Sequence, residues 1–151
     1  GVLQIPQYLL AITSDTVKVK ILTSRLAFEG GYAPECDVEA APSPSVATAI
    51  VEKLERFSVE IERIKKEGNA DVEVMVLPGK SPVLHDRFLV VDDDVWFLGN
   101  SLNTLGERAS MIIKLPNPDE VIRELEKMLK QAETFHTYRQ QRINASKSVK
   151  E

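Results

Sequence analysis

Pro82-Val83-Leu84-His85-Asp86-Arg87-Phe88-Leu89-Val90-Val91-Asp92-Asp93-Asp94-Val95-Trp96-Phe97-Leu98-Gly99-Asn100-Ser101-Leu102-Asn103 is the stretch that organises this chain. Side chains alternate faces along a strand, so His85 and Arg87, one residue apart, leave the same face. Phe88 to Val91 is a continuous apolar run, the pattern of a strand covered on both faces. Asp92-Asp93-Asp94 supplies a turn, and Val95-Trp96-Phe97-Leu98 reads as the returning strand. Such a hairpin brings the polar loop with Ser101 and Asn103 back to the end of the sheet that carries His85.

These residue types suit phosphoryl transfer. An imidazole can attack phosphorus, while a guanidinium with amide and hydroxyl donors holds the non-bridging oxygens as charge builds on them. A single histidine at a strand start is also a common structural residue, and the residues alone leave both readings open.

The spacing carries a resemblance. His85-x-Arg87, four residues, Asp92, six residues, Gly99 and then Ser101-x-Asn103 resembles the phospholipase D superfamily signature, H-x-K-x4-D-x6-G-[ST]-x-N. It departs twice: Arg87 stands for the lysine, and the step from Gly99 to Asn103 is one residue longer. The resemblance spans about residues 82–115. It implies an α/β fold, a phospholipase D-like α/β/α sandwich with a mixed β-sheet. It also implies that His85 is the nucleophile, with Arg87 and Asn103 as catalytic phosphate binders and Ser101 as a supporting donor. Asp92 becomes a residue that supports the phosphate binders from behind or holds the structure, and Glu107 is a further candidate for the acidic residue that follows the asparagine in many members. Lys80, in the turn cluster Pro78-Gly79-Lys80-Ser81-Pro82, adds positive potential near the site or is simply a surface lysine. Arginine keeps the charge of lysine and adds a planar fork, so phosphate binding tolerates the exchange better than in-line geometry does.

In that family one such half does not complete a site. A single motif therefore implies a homodimer, or a second phospholipase D-like half, whose histidine serves as the general acid. The implied activity is that of a phosphodiesterase, and specifically a metal-independent nuclease working through a phosphohistidine without any cofactor. The alternative is a non-catalytic module for nucleic-acid or phosphate binding, or for dimerisation within a larger protein. A lipid hydrolase ranks last, because no basic amphipathic helix or apolar surface motif supports interfacial work.

Composition sets the outer limits. The chain has 151 residues, enough for one domain with a sizeable core. Its hydrophobic share of 43% and charged share of 28% are those of an ordinary globular protein. No apolar run reaches the length of a membrane span, which predicts no membrane partner. The net charge of −4 and a pI near 5.3 argue against broad, non-specific nucleic-acid binding, though not against a local basic site. The single cysteine, Cys36, cannot close an internal disulfide, so a cytoplasmic setting is expected. One cysteine and two histidines give no zinc-ligand spacing. The start, Gly1-Val2-Leu3-Gln4, reads as the edge of a fragment of a longer protein rather than a signal peptide.

Outward from the motif, Val2 to Ile12 predicts a short entry segment and a helical turn around Pro6. Thr16 to Leu22 alternates as a strand, with Lys18 and Lys20 on one solvated face at a sheet edge. Residues 25–44, with Gly30-Gly31, Pro34, Pro42 and Pro44, predict a long loop. Ser45 is expected to cap a helix that buries Val46, Ile50, Leu54, Phe57 and Ile61 and ends at Gly68. Asp71 to Leu77 predicts another strand, as does Ala109 to Leu115. Pro118 is placed in the first turn of a core-facing helix carrying Val121, Ile122, Leu125, Met128, Leu129 and Ala132, with Asp119 and Glu120 at its positive end. The domain is expected to span 1–133. Residues 134–151 are expected to form a basic tail or helix extension, in which His136 lacks the motif's following cation.

Overall fold

The computed structural model describes residues 2–12, 17–30, 43–79, 87–92, 94–98 and 111–148, with only the backbone at Val2 and Arg87. Within them the chain is mixed α/β, with five α-helices and two small sheets. A 3-10 turn at Val2–Gln4 leads into α1 (Ile5–Leu9), β1 (Val17–Ser24), α2 (Leu26–Glu29), α3 (Pro44–Glu67) and β2 (Ala70–Leu77). β3 (Arg87–Val91), β4 (Asp94–Leu98), β5 (Ile112–Lys114), α4 (Asp119–Gln131), β6 (Glu133–Thr134) and α5 (Phe135–Ser148) follow.

The first sheet has the order β1-β2-β6 and is mixed. β1 and β2 run parallel in register from Val17 opposite Ala70 to Ser24 opposite Leu77, and α3 makes the crossover between them. A parallel pair needs such a connection, which is why helix α3 separates two strands of adjacent position. β6 adds two antiparallel pairs, Met75 with Thr134 and Val76 with Glu133. Along β2 the predicted alternation holds: Ala70, Val72, Val74 and Val76 are buried, while Asp71 and Glu73 are exposed. Lys18 and Lys20 are exposed on β1, and Lys20 reaches Glu73 on the neighbouring strand at 2.9 Å.

The core lies between this sheet and α3. Ile50, Leu54, Phe57, Ile61 and Ile64 recur at helical spacing and are all buried against Ile21, Val72, Val74 and Val76. Phe28 is fully buried, with ring centroids 5.4 Å from Phe57, 5.5 Å from Phe135 and 5.9 Å from Tyr138. α1 covers an edge of the same cluster with Ile5 and Leu9.

Some expectations are corrected. α3 begins at Pro44, with Ser43 rather than Ser45 at the N-cap position and no side-chain cap bond. Proline's fixed φ and missing N–H favour the first helical position, and this outweighs the serine signal. The loop predicted from residue 25 contains α2; its remainder, 31–42, lies outside the described residues, Cys36 with it. The C-terminal stretch, expected as a basic tail or a helix extension, is helical as far as Ser148. It forms α5, whose Phe135 and Tyr138 enter the core and whose Thr134 Oγ1 accepts a bond from the Thr137 N–H at the helix start. α4 keeps its apolar stripe, Val121, Ile122, Leu125, Met128 and Leu129, but each is only partly buried, so the helix lies over the fold rather than in its centre. Phe88 to Val91 is not covered on both faces: Leu89, Val90 and Val91 are 50%, 42% and 50% exposed.

Among the described residues no helix is long and apolar enough to cross a membrane.

Candidate functional site

The second sheet, β3-β4-β5, is antiparallel throughout. Val91 faces Asp94, so the β3–β4 connection is two residues long. Asp92 has φ of 53°, the left-handed value that two-residue hairpins demand and that aspartate tolerates better than most side chains. This turn fixes the register. Arg87 lies opposite Leu98, and Leu98 lies opposite Ile112.

Three chain ends therefore meet at one end of this sheet: the entry into Arg87, the exit from Leu98 and the entry into Ile112. Lys80 and His85 belong to the segment entering at Arg87. Ser101, Asn103 and Glu107 belong to the segment between Leu98 and Ile112. These five residues lie outside the described ones, as does the side chain of Arg87. Asp92 occupies the opposite end of the hairpin, about 16 Å from Arg87 at some 3.3 Å per strand residue. That location gives it a structural role in the turn and removes it from the end where the other candidates enter.

Packing above the hairpin is apolar. Phe88 shares a cavity of about 210 Å³ with Val121, Leu125 and Met128 of α4. Met128 thus serves packing, as its helical spacing suggested. Phe88 and Phe97 are cross-strand partners, with centroids 5.9 Å apart.

A cluster of charged residues that sequence reasoning did not single out lies at the carboxyl ends of β1 and β2. Arg25 follows Ser24 directly, and its N–H donates to the Leu77 carbonyl at 3.3 Å. One turn on, Glu29 is buried. Its Oε1 accepts from the Tyr138 hydroxyl at 2.7 Å and pairs with Arg142 Nη2 at 2.8 Å, while Arg25 Nε stands 3.6 Å from Oε2. The Arg142 guanidinium lies over the Tyr138 ring, 5.3 Å from its centroid. Burial, then the hydrogen bond and charge of Glu29, push the Tyr138 phenol far above its ordinary value, so it is a neutral donor. Only the i,i+4 spacing of Arg25 and Glu29 signals this cluster in the sequence.

His136 is exposed on α5 and borders a cavity of about 290 Å³ with Ile61, Val72 and Phe135. The charges there are spent on each other: Glu73 on Lys20, Glu62 on Lys65, and Arg139 on Glu55 at 2.6 Å. Among the described residues no group of three or more His, Cys, Asp or Glu could hold a metal ion.

Comparison with protein-family models, with curated proteins and with solved structures finds no match to this chain.

Proposed function

We propose that the chain is a phosphodiesterase of the phospholipase D kind, acting on nucleic acid without a metal. Two things support the reading: the spacing from His85 to Asn103, and the strand register. The register carries it, because Arg87 opposite Leu98 makes the segments holding His85 and Asn103 leave the same end of one sheet. The chain thus enters Arg87 and leaves Leu98 at one shared end, as a site drawing on both segments requires.

In this reading an imidazole nitrogen of His85 attacks phosphorus, and the bond from phosphorus to the leaving oxygen breaks. Arg87 and Asn103 hold the non-bridging oxygens through charge-assisted hydrogen bonds, supported by Ser101 and the potential of Lys80. A second histidine, from another copy or another half, donates the proton that the leaving oxygen takes up. Water then hydrolyses the phosphohistidine and returns His85. The family's sandwich fold and its two-half assembly belong to this proposal.

The exchange of lysine for Arg87, the lengthened Gly99–Asn103 step and the net charge of −4 favour a second reading, a phosphate or nucleic-acid binding module without turnover. Hydrolysis of bis(4-nitrophenyl) phosphate, run beside a gel shift with single- and double-stranded DNA, separates the two. Turnover that survives EDTA supports the enzyme. Salt-sensitive binding without turnover supports the module.

A further inference from the structure

We infer that Arg25 and Arg142 form an oxyanion-binding site for a phosphate group at the carboxyl ends of β1 and β2. The inference starts from a charge count around α2. Two cations, Arg25 and Arg142, share the Glu29 carboxylate, and a third, Lys53, lies at the end of the same helix. Lys53 donates to the Phe28 carbonyl at 3.0 Å, next to the end of α2. Tyr138 adds no charge, since it is held as the neutral phenol. Among the described residues, a chain of net charge −4 thus keeps a positive excess at one partly buried spot.

Glu29 does not satisfy both arginines. Its Oε1 is taken by Tyr138 and Arg142. Arg25 has only the 3.6 Å approach to Oε2, outside hydrogen-bond range, and its side chain makes no hydrogen bond among the described residues. Yet its side chain is only 24% exposed, and that of Arg142 30%. The Nε atoms of both arginines are buried without a hydrogen-bond partner among the described residues. One carboxylate shared by two guanidinium groups taken this far out of water leaves a positive charge unmatched among the described residues, and their planar forks match the oxygens of a phosphate.

The position fits as well. In open α/β sheets ligands bind outside the carboxyl ends of the parallel strands, and Arg25 is the first residue beyond β1, tied by its backbone to the last residue of β2. Stacking on Tyr138 and the bond to Glu29 hold Arg142 in place, so the site is built before a ligand arrives. It stands on these residues alone and does not depend on His85.

The test is calorimetric titration of the whole chain at low salt with inorganic phosphate and, separately, with dimethyl phosphate. Saturable binding is expected, weakened about tenfold or more in Arg25→Gln, the loss of a charge-assisted bond. Arg25→Lys should fall between them. Preference for dimethyl phosphate would assign the site to diesters, and preference for phosphate to monoesters or the free ion. Arg56→Gln, at an exposed cation of α3, should bind as the parent does, and the arginine NMR signals place the binding at this cluster whether or not the chain turns over phosphodiesters. In the unaltered protein the NMR signals of the Arg25 and Arg142 Nε–H groups should move on adding phosphate while that of Arg56 stays. No saturable binding, or parent-like binding by Arg25→Gln, or unmoved Arg25 and Arg142 signals, would overturn the inference.

Discussion

The hydroxyl of Tyr138 on α5 donates a 2.7 Å hydrogen bond to the buried carboxylate of Glu29 on α2, joining residues 109 apart in sequence. This bond ties the last helix to the segment after the first strand, beside the aromatic contact of Phe28 with Tyr138. Tyr138→Phe keeps the ring and removes the donor. We expect a loss of about 1–3 kcal/mol, the cost of an acceptor left short in a buried site, read from urea unfolding. Arg142 still faces Glu29 in that variant, which places the loss toward the lower figure.

The burial of Tyr138, together with this bond, predicts a pH dependence. The Tyr138 phenol holds its proton in the folded chain to a higher pH than the ordinary value of 10.0 that applies after unfolding. Above that pH the folded state therefore binds more protons than the unfolded state. Its contribution is fully present below pH 10 and declines as the pH rises beyond. Stability measured from pH 8 to 11 should fall more steeply in the parent than in Tyr138→Phe.

The core around Phe28 gives a larger effect. Its ring is fully buried against Phe57, Phe135 and Tyr138, and Phe28→Ala empties a site bounded by three other rings. The expected cost is about 3–5 kcal/mol, measured as a drop in the urea midpoint. Truncation after Glu133 removes Phe135 and Tyr138 together. At similar cost for each ring this consumes most of a typical stability of about 5–15 kcal/mol, so the shortened chain should lose its cooperative unfolding transition.

Asp92 tests the hairpin. Its φ of 53° lies in the region that β-branched residues resist. Asp92→Val should destabilise by about 1–2 kcal/mol, and Asp92→Gly should be near neutral in thermal unfolding. If the carboxylate is structural, as its place in the turn indicates, Asp92→Gly should also leave any phosphodiesterase turnover close to that of the parent.

Where a segment's fate is set by local pattern, the sequence was legible. The alternation of Ala70 to Leu77, the helical spacing of Ile50, Leu54, Phe57 and Ile61, and the acidic turn between two apolar runs all correspond to elements in place. α2 was hidden because four residues, Leu26 to Glu29, are too few to show a period. The seating of α5 in the core was hidden because Phe135 and Tyr138 are its only buried residues, so polar side chains dominate its composition; what seats it is the contact with Phe28 and Glu29. The run Phe88 to Val91 shows the reverse limit: apolar character signals a demand for cover but not what meets it, and Leu89 and Val91 remain half exposed. For the candidate site, spacing gave the residue types and the register gave the shared end of the sheet. The Arg25–Glu29–Arg142 cluster needed the fold, because Arg25 and Glu29 lie at α2 and Arg142 on α5, far apart in the chain.

The central claim is that His85 is a nucleophile toward a phosphodiester. The most direct measurement is hydrolysis of bis(4-nitrophenyl) phosphate in EDTA by the parent and by His85→Ala, both checked for the same unfolding midpoint. The account predicts steady turnover by the parent and a loss on the order of 10³-fold or more in the variant. Equal turnover by both proteins would contradict it.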